Sequence, residues 1–252
     1  MLLLLRTVAA IIMTIVWTAI GMLTVIVSPT GRLYMYFARE GWARQILWLA
    51  GVRVSVKGGA GLDWTRPCVV VANHASQIDI PLLFFCLPMP FRFLAKRSLF
   101  YIPIFGWSLA LARFVAIDRG SSSSARRSIA RAAEKIRRGP SLAVFPEGTR
   151  TPDGAIHPFK SGAFIIASRA EVPILPVAVR GTYAILPKSG WLIRPGAVEV
   201  VIGAPIETTG AGARDKDRLK KRAEEAVGSM LATGEPFEQA LERAFPEARA
   251  DL

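Results

Sequence analysis

Histidine, cysteine and acidic residues are scarce in this chain. Of 252 residues, two are histidine and two are cysteine, and Asp plus Glu number 19 against 32 Lys plus Arg. Cys68 and Cys86 stand in apolar contexts at a spacing that fits no zinc or redox motif. They read as small core residues in a reducing compartment. His157 is the only histidine besides His74, and no His/Cys cluster exists, so a metal centre is poorly supported. No serine occupies a Gly-x-Ser-x-Gly elbow and neither cysteine has a base beside it. A covalent intermediate therefore lacks an obvious nucleophile.

The shortage of acid leaves a formal net charge of +13. Nucleic acid is the usual partner of such a balance, and a solvated basic face is the plainer reading. Here the charge accompanies a long apolar run, which favours an anionic lipid leaflet; each Lys or Arg near such a surface adds roughly 1 kcal/mol of attraction. The mean hydropathy of +0.35 is high for a soluble enzyme, and the surplus sits at the start. Thr7 to Gly31 holds no charged residue and Val8 to Val27 is almost wholly apolar, about the twenty residues that cross a hydrocarbon core. The run is long for a signal peptide and Ser28-Pro29-Thr30-Gly31 is a poor cleavage site. A retained membrane segment is expected over a signal peptide or a buried soluble helix. Arg6 precedes it and Arg32, Arg39, Arg44 and Arg53 follow, which would place the rest of the chain in the cytoplasm. A second helix, Leu33 to Ala50, carries basic residues with Trp42 and Trp48. It reads equally as an interfacial helix or as core.

From Val52 short apolar strands alternate with helices. Strands are expected at Cys68–Ala72, Phe91–Ala95, Phe114–Ile117, Leu142–Phe145, Ile174–Val179 and Val198–Ile202. Helices are expected at Ile80–Leu87, Ile104–Ala112, Gly162–Arg169 and Asp215–Thr233, with a basic amphipathic helix after Ser121 to Ser124 ending near Gly139, and Glu235 to Leu252 polar and helical in part. The pattern implies an α/β fold, a mixed sheet flanked by helices and preceded by an N-terminal membrane-associated helix pair. The expected division is 1–52 as anchor and 53–252 as one larger domain.

Two stretches carry the chemistry. In Asn73-His74-Ala75-Ser76-Gln77-Ile78-Asp79 a histidine directly follows a buried strand. Five residues are about 500° of helix rotation, so His74 and Asp79 can meet only if His74 lies in the loop and Asp79 in the first helical turn. There Asp79 could fix the imidazole tautomer and raise its basicity. In Phe145-Pro146-Glu147-Gly148-Thr149-Arg150, Gly148 permits close backbone approach, Thr149 offers a hydroxyl and Arg150 can grip a phosphate with two parallel bonds. Glu147 is unexpected beside an anion unless it accepts from a substrate hydroxyl or holds Arg150.

Four blocks in order resemble the 1-acylglycerol-3-phosphate (lysophosphatidate) acyltransferase family. They are Asn73-His74-x-Ser76-x-x-Asp79; Lys96 through Pro103 and Gly106 to Asp118-Arg119; Phe145 to Arg150 with Phe159-Lys160-Ser161-Gly162-Ala163; and Val172-Pro173-Ile174-x-Pro176-Val177. Gly203-x-Pro205-Ile206 is also similar. The resemblance covers roughly Val69 to Ile206, and the apolar N-terminal helices resemble those of bacterial members. It implies His74 as general base with Asp79 as its partner. It implies Glu147, Gly148, Thr149 and Arg150 as acceptor-binding residues, with Lys96 and Arg119 adding positive charge. The implied reaction moves an acyl group from acyl-CoA or acyl carrier protein to the sn-2 hydroxyl of lysophosphatidic acid, with no metal or other cofactor. The implied partners are those substrates and anionic membrane lipids, not nucleic acid, and the implied place is the cytoplasmic face of the bacterial inner membrane. Another lysolipid as acceptor, such as a lyso-ornithine lipid, and a non-catalytic basic lipid-binding protein are the alternatives.

Overall fold

A computed structural model describes residues 1–28, 32–103, 105–118, 122–137, 139–237 and 239. The described strands form one mixed sheet. In chain order they are β1 (Val52–Gly58), β2 (Val69–Ala72), β3 (Phe91–Lys96), β4 (Val115–Ile117), β5 (Ser141–Val144), β6 (Ile174–Arg180) and β7 (Gly196–Ile202). Their spatial order is β1-β7-β6-β2-β5-β3-β4. The strands β2 to β6 run parallel, while β7 lies antiparallel to β6 and β1 parallel to β7. The sheet is therefore mixed, as expected from the alternation of short strands and helices.

The central strands read as unbroken Val/Ala runs because both faces are covered. Val70 and Ala72 join one apolar cluster with Leu82, Leu83 and Phe84 of α4 (Asp79–Cys86). Val69 and Val71 join the other, with Ala132 and Ile136 of α6 (Ser122–Arg137), Phe164 of α7 (Gly162–Ala170) and Leu219 of α8 (Lys216–Thr233). Alternate residues of a strand point to opposite faces, so four consecutive apolar residues serve both. Each fully buried Leu or Phe contributes roughly 1.5–3 kcal/mol, and Phe91, Phe164, Leu82 and Leu142 are among those fully enclosed.

The N-terminal run is one helix, α1 (Leu2–Val27). Its Leu2–Thr24 part is long and apolar enough to cross a membrane, and little of it is buried in the protein. Leu5, Ile11, Ile12 and Ile15 are exposed, whereas Thr7 and Ala10 are buried. The hydroxyls of Thr7, Thr14, Thr18 and Thr24 all donate back to carbonyls of the preceding turn, so they present no unsatisfied polar group to an apolar surrounding.

Residues 32–50 continue as α2 (Arg32–Tyr36), a π-helical stretch (Phe37–Ala43) and α3 (Arg44–Ala50). The π stretch was not legible in the helical periodicity. It turns Ala38, Gly41 and Ala43 inward, and Trp17 of α1 lies so close over Gly41 that a Cβ there would stand 2.2 Å from its ring. The two tryptophans divide. Trp42 donates to Thr14 Oγ1 at 3.1 Å and packs edge-on against Phe84, while Trp48 is largely exposed. The second helix is thus part core and part surface.

Most predicted elements lie within a residue or two of their observed bounds. The helix expected at Ile104–Ala112 is observed as α5 (Phe105–Leu111), with Ile104 itself outside the described residues. Most of the polar stretch from Glu235 to Leu252 also falls outside them.

Candidate active site

β2 and β5 are parallel neighbours at the centre of the sheet. Their C-terminal ends therefore deliver Asn73-His74 and Phe145-Pro146-Glu147 to the same edge, where α/β sheets place their sites. Asn73 locks the first loop, because its Nδ2 donates to the Val179 carbonyl at 2.9 Å and its Oδ1 accepts the Val179 N–H at 2.8 Å. The side chain extends the β2–β6 ladder by one residue and frees His74 to leave it.

Asp79 is the first residue of α4 and is fully buried. Its Oδ2 meets His74 Nδ1 at 2.8 Å and accepts the amides of Ala75 at 2.8 Å and Ser76 at 2.9 Å. The five-residue spacing closes as the helix geometry required, with His74 in the loop and Asp79 in the first turn. A carboxylate already accepting two amides is an acceptor toward the ring, so neutral His74 carries its proton on Nδ1 and leaves the Nε2 lone pair free. Asp79 Oδ1 is buried without a hydrogen-bond partner among the described residues. The amides after His74 are already engaged: those of Ala75 and Ser76 serve Asp79, and that of Ile78 serves Ser76 Oγ.

The second loop clamps the first. Pro146 and Glu147 occupy a turn closed by the Gly148 amide on the Phe145 carbonyl at 3.0 Å. Gly148 has φ of 80°, the left-handed region that glycine enters without steric cost. Phe145 stacks on the His74 ring at 3.9 Å between centroids, tilted by 10°. The Thr151 amide donates to the His74 carbonyl at 2.9 Å. Glu147 is buried, its Oε1 accepting the His74 amide at 2.7 Å and its Oε2 the His157 amide at 3.1 Å. Both oxygens are committed to backbone, so Glu147 does not hold Arg150 and turns no free oxygen outward. Burial pushes its pKa above the ordinary glutamate value, against the pull of the two amides.

Thr149 is exposed and Arg150 half-buried. Arg150 directly precedes the residue that grips His74, and its guanidinium meets no carboxylate among the described residues. Lys96 is exposed at the end of β3, in register with Ile117. Arg119 falls outside the described residues. His74, Asp79, Glu147 and Gly148 thus meet in one constellation with Arg150 beside it, and Lys96 stands two strands away. Phe145 and Thr151 were missed as parts of the site, because only the adjacency of β2 and β5 brings them to His74.

Comparison with known proteins identifies the family. Residues 53–180 match the family model described as Acyltransferase. The chain is 34% identical to the 1-acyl-sn-glycerol-3-phosphate acyltransferase of Pseudomonas aeruginosa, over 92% of this chain and 90% of that one. It is 32% identical to the human 1-acyl-sn-glycerol-3-phosphate acyltransferase beta, over 80% and 73%. The crystal structure of the 1-acyl-sn-glycerophosphate (LPA) acyltransferase PlsC from Thermotoga maritima superposes with a TM-score of 0.76 at 28% identity, covering 99% of this chain and 97% of that one. Family match and fold together define an acyltransferase. Within that class, the chain belongs to the 1-acyl-sn-glycerol-3-phosphate acyltransferase family.

Proposed function

We propose that this enzyme transfers a fatty acyl group from a thioester to the sn-2 hydroxyl of lysophosphatidic acid, giving phosphatidic acid. The observation that carries the reading is the 2.8 Å contact of His74 Nδ1 with a buried Asp79 oxygen, which leaves Nε2 as the base. Nε2 takes the hydroxyl proton as that oxygen attacks the thioester carbonyl. Asp79 stabilises the imidazolium so formed. The C–S bond breaks as the tetrahedral intermediate collapses, and the thiolate leaves with the proton from Nε2. A general base of this kind accounts for about 10²–10⁴ of the rate. No acyl-enzyme and no metal enters the scheme.

Arg150 binds the acceptor phosphate through two parallel hydrogen bonds, with Thr149 and the Gly148 backbone beside it. Lys96 and Arg119 add positive potential. Glu147 acts in this scheme by positioning His74. The donor is acyl-CoA or acyl carrier protein. Residues 1–52 anchor residues 53–252 to anionic lipid on the cytoplasmic face of the inner membrane, because the exposed side of α1 is apolar and its flanking charges are basic.

An acceptor panel tests the reading. Purified protein in liposomes is offered lysophosphatidic acid, lysophosphatidylcholine and a lyso-ornithine lipid with each donor. Selective formation of phosphatidic acid is expected. Preferential transfer to either of the others would overturn the acceptor assignment.

A further inference from the structure

The far edge of the sheet carries a charged group that the transfer chemistry does not use. Arg92, on β3, is 6% exposed. Its Nη1 donates to the Phe91 carbonyl at 2.9 Å, and its Nε is buried with no partner among the described residues. The titratable groups acting on it are Tyr34 and Arg113. Tyr34 is half-buried, and desolvation pushes its phenol up to about 12, so it stays neutral and supplies no counter-charge. Arg113 is of like sign. Burial lowers the Arg92 pKa, but a guanidinium keeps its proton in proteins. A buried cation with no anion is costly, and among the described residues no carboxylate answers it.

Arg92 lines a cavity of about 660 Å³. Arg113 and Lys135 add two further cations to its wall, and Phe100, Phe114 and Ile136 give it apolar surface. None of the described lining residues is acidic. Ala110 of α5 also forms part of the wall. That helix packs on α1 and exposes Phe105, Trp107 and Leu111, so the cavity opens beside the apolar surface read above as facing lipid. It is also separate from His74. Arg92 is level with Leu142, and Leu142 with Val69. His74 therefore lies five residues on, about 16 Å along the strands and about 10 Å across them.

We infer that this cavity is a second lipid site, holding the phosphate of an anionic phospholipid against Arg92, Arg113 and Lys135 with the start of its acyl chain on Phe100 and Phe114. One buried cation, two exposed cations and aromatic surface around one cavity match a phosphate joined to a chain. Lipid bound there fixes the orientation of the β4 edge on the membrane, independently of the acceptor phosphate held near Arg150.

Native mass spectrometry of the full chain in maltoside detergent tests this. The probes are dihexanoyl phosphatidylglycerol, dioctanoylglycerol, octanoate and inorganic phosphate. The variants are Arg92→Met, Arg113→Gly and Arg150→Ala. Arg113 is exposed and sits at φ of 60°, where glycine is unstrained, so Arg113→Gly keeps the fold even if Arg92→Met does not. Phosphatidylglycerol is expected to bind, and Arg113→Gly and a folded Arg92→Met to weaken it about tenfold or more, the loss of a charge-assisted hydrogen bond. Arg150→Ala is expected to leave this binding unchanged. Equal binding in Arg113→Gly and the wild type would overturn the site, and loss in Arg150→Ala alone would move the lipid to the catalytic edge. Equal retention of dioctanoylglycerol would remove the phosphate from the recognition. Equal retention of octanoate would make the head a carboxylate, and equal retention of inorganic phosphate would leave an adventitious ion only; each contradicts the assignment.

Discussion

Oε1 of Glu147 accepts the backbone amide of His74 at 2.7 Å, so the carboxylate of one motif holds the histidine of the other in place. Its second oxygen takes the His157 amide. A glutamine has one acceptor oxygen and would turn an NH₂ toward one of those N–H groups. Glu147→Gln should therefore lower kcat about 100-fold, the scale of an ångström-sized misplacement of a catalytic group, with acceptor KM nearly unchanged. A large rise in acceptor KM at constant kcat would instead make Glu147 a substrate ligand.

The same residue predicts a pH dependence of stability. Burial holds the folded pKa of Glu147 above its ordinary 4.5. Between 4.5 and that raised value the folded state binds more protons than the unfolded one, so stability falls as pH rises. The contribution is fully present below the unfolded pKa and is lost as pH rises through the folded pKa. Subtracting the Tm of Glu147→Gln from that of the wild type at each pH should give a difference that declines across this window and is flat on either side. A difference that grows with pH contradicts the sign.

Asp79→Asn keeps an oxygen for the amides of Ala75 and Ser76 but removes the charge that stabilises the imidazolium. A loss of about 10³–10⁴ in kcat is expected, as when the orienting carboxylate of a catalytic triad is neutralised. Circular dichroism melting should show the fold retained. A loss below tenfold would remove Asp79 from the mechanism.

Arg150→Ala should raise the KM for lysophosphatidic acid about 10–100-fold, the equivalent of roughly 1.5–3 kcal/mol for a hydrogen bond to a charged group. The donor KM should not move. Steady-state kinetics with each substrate varied in turn separates the two, and an unchanged acceptor KM would place the phosphate elsewhere.

On α1, Ile12 and Ile15 are both more than half exposed. Replacing both with Glu sets two charges on the apolar face, each costing several kcal/mol against hydrocarbon. Flotation on anionic vesicles at high salt should fall about tenfold or more while the protein stays folded. Undiminished flotation would put the anchor elsewhere.

Much of this was legible in the chain itself. Val69–Ala72 announced a strand covered on both sides, and the His74–Asp79 spacing announced the loop-to-helix contact that forms. The direction of β7 was not legible, because residue alternation says nothing of parallel or antiparallel pairing. Nor was β1, whose exposed residues, such as Ser55 and Lys57, give it no buried-strand signature. The place of Glu147 was hidden for a different reason. An acid in a turn reads as solvent-facing, and only the pairing of β2 with β5 sets it against the backbone of His74. Trp42 and Trp48 likewise share a helix, and only the packing of α1 and Phe84 tells them apart.

The most direct measurement is the rate of phosphatidic acid formation by His74→Ala and wild type at saturating lysophosphatidic acid and thioester, with intact-protein mass spectrometry on the same quenched samples. If His74 is the base acting directly on the acceptor hydroxyl, the variant loses at least about 10²–10⁴ in rate, and neither protein carries a covalent acyl group. A variant within tenfold of wild type, or an acylated protein that decays into product, would contradict it.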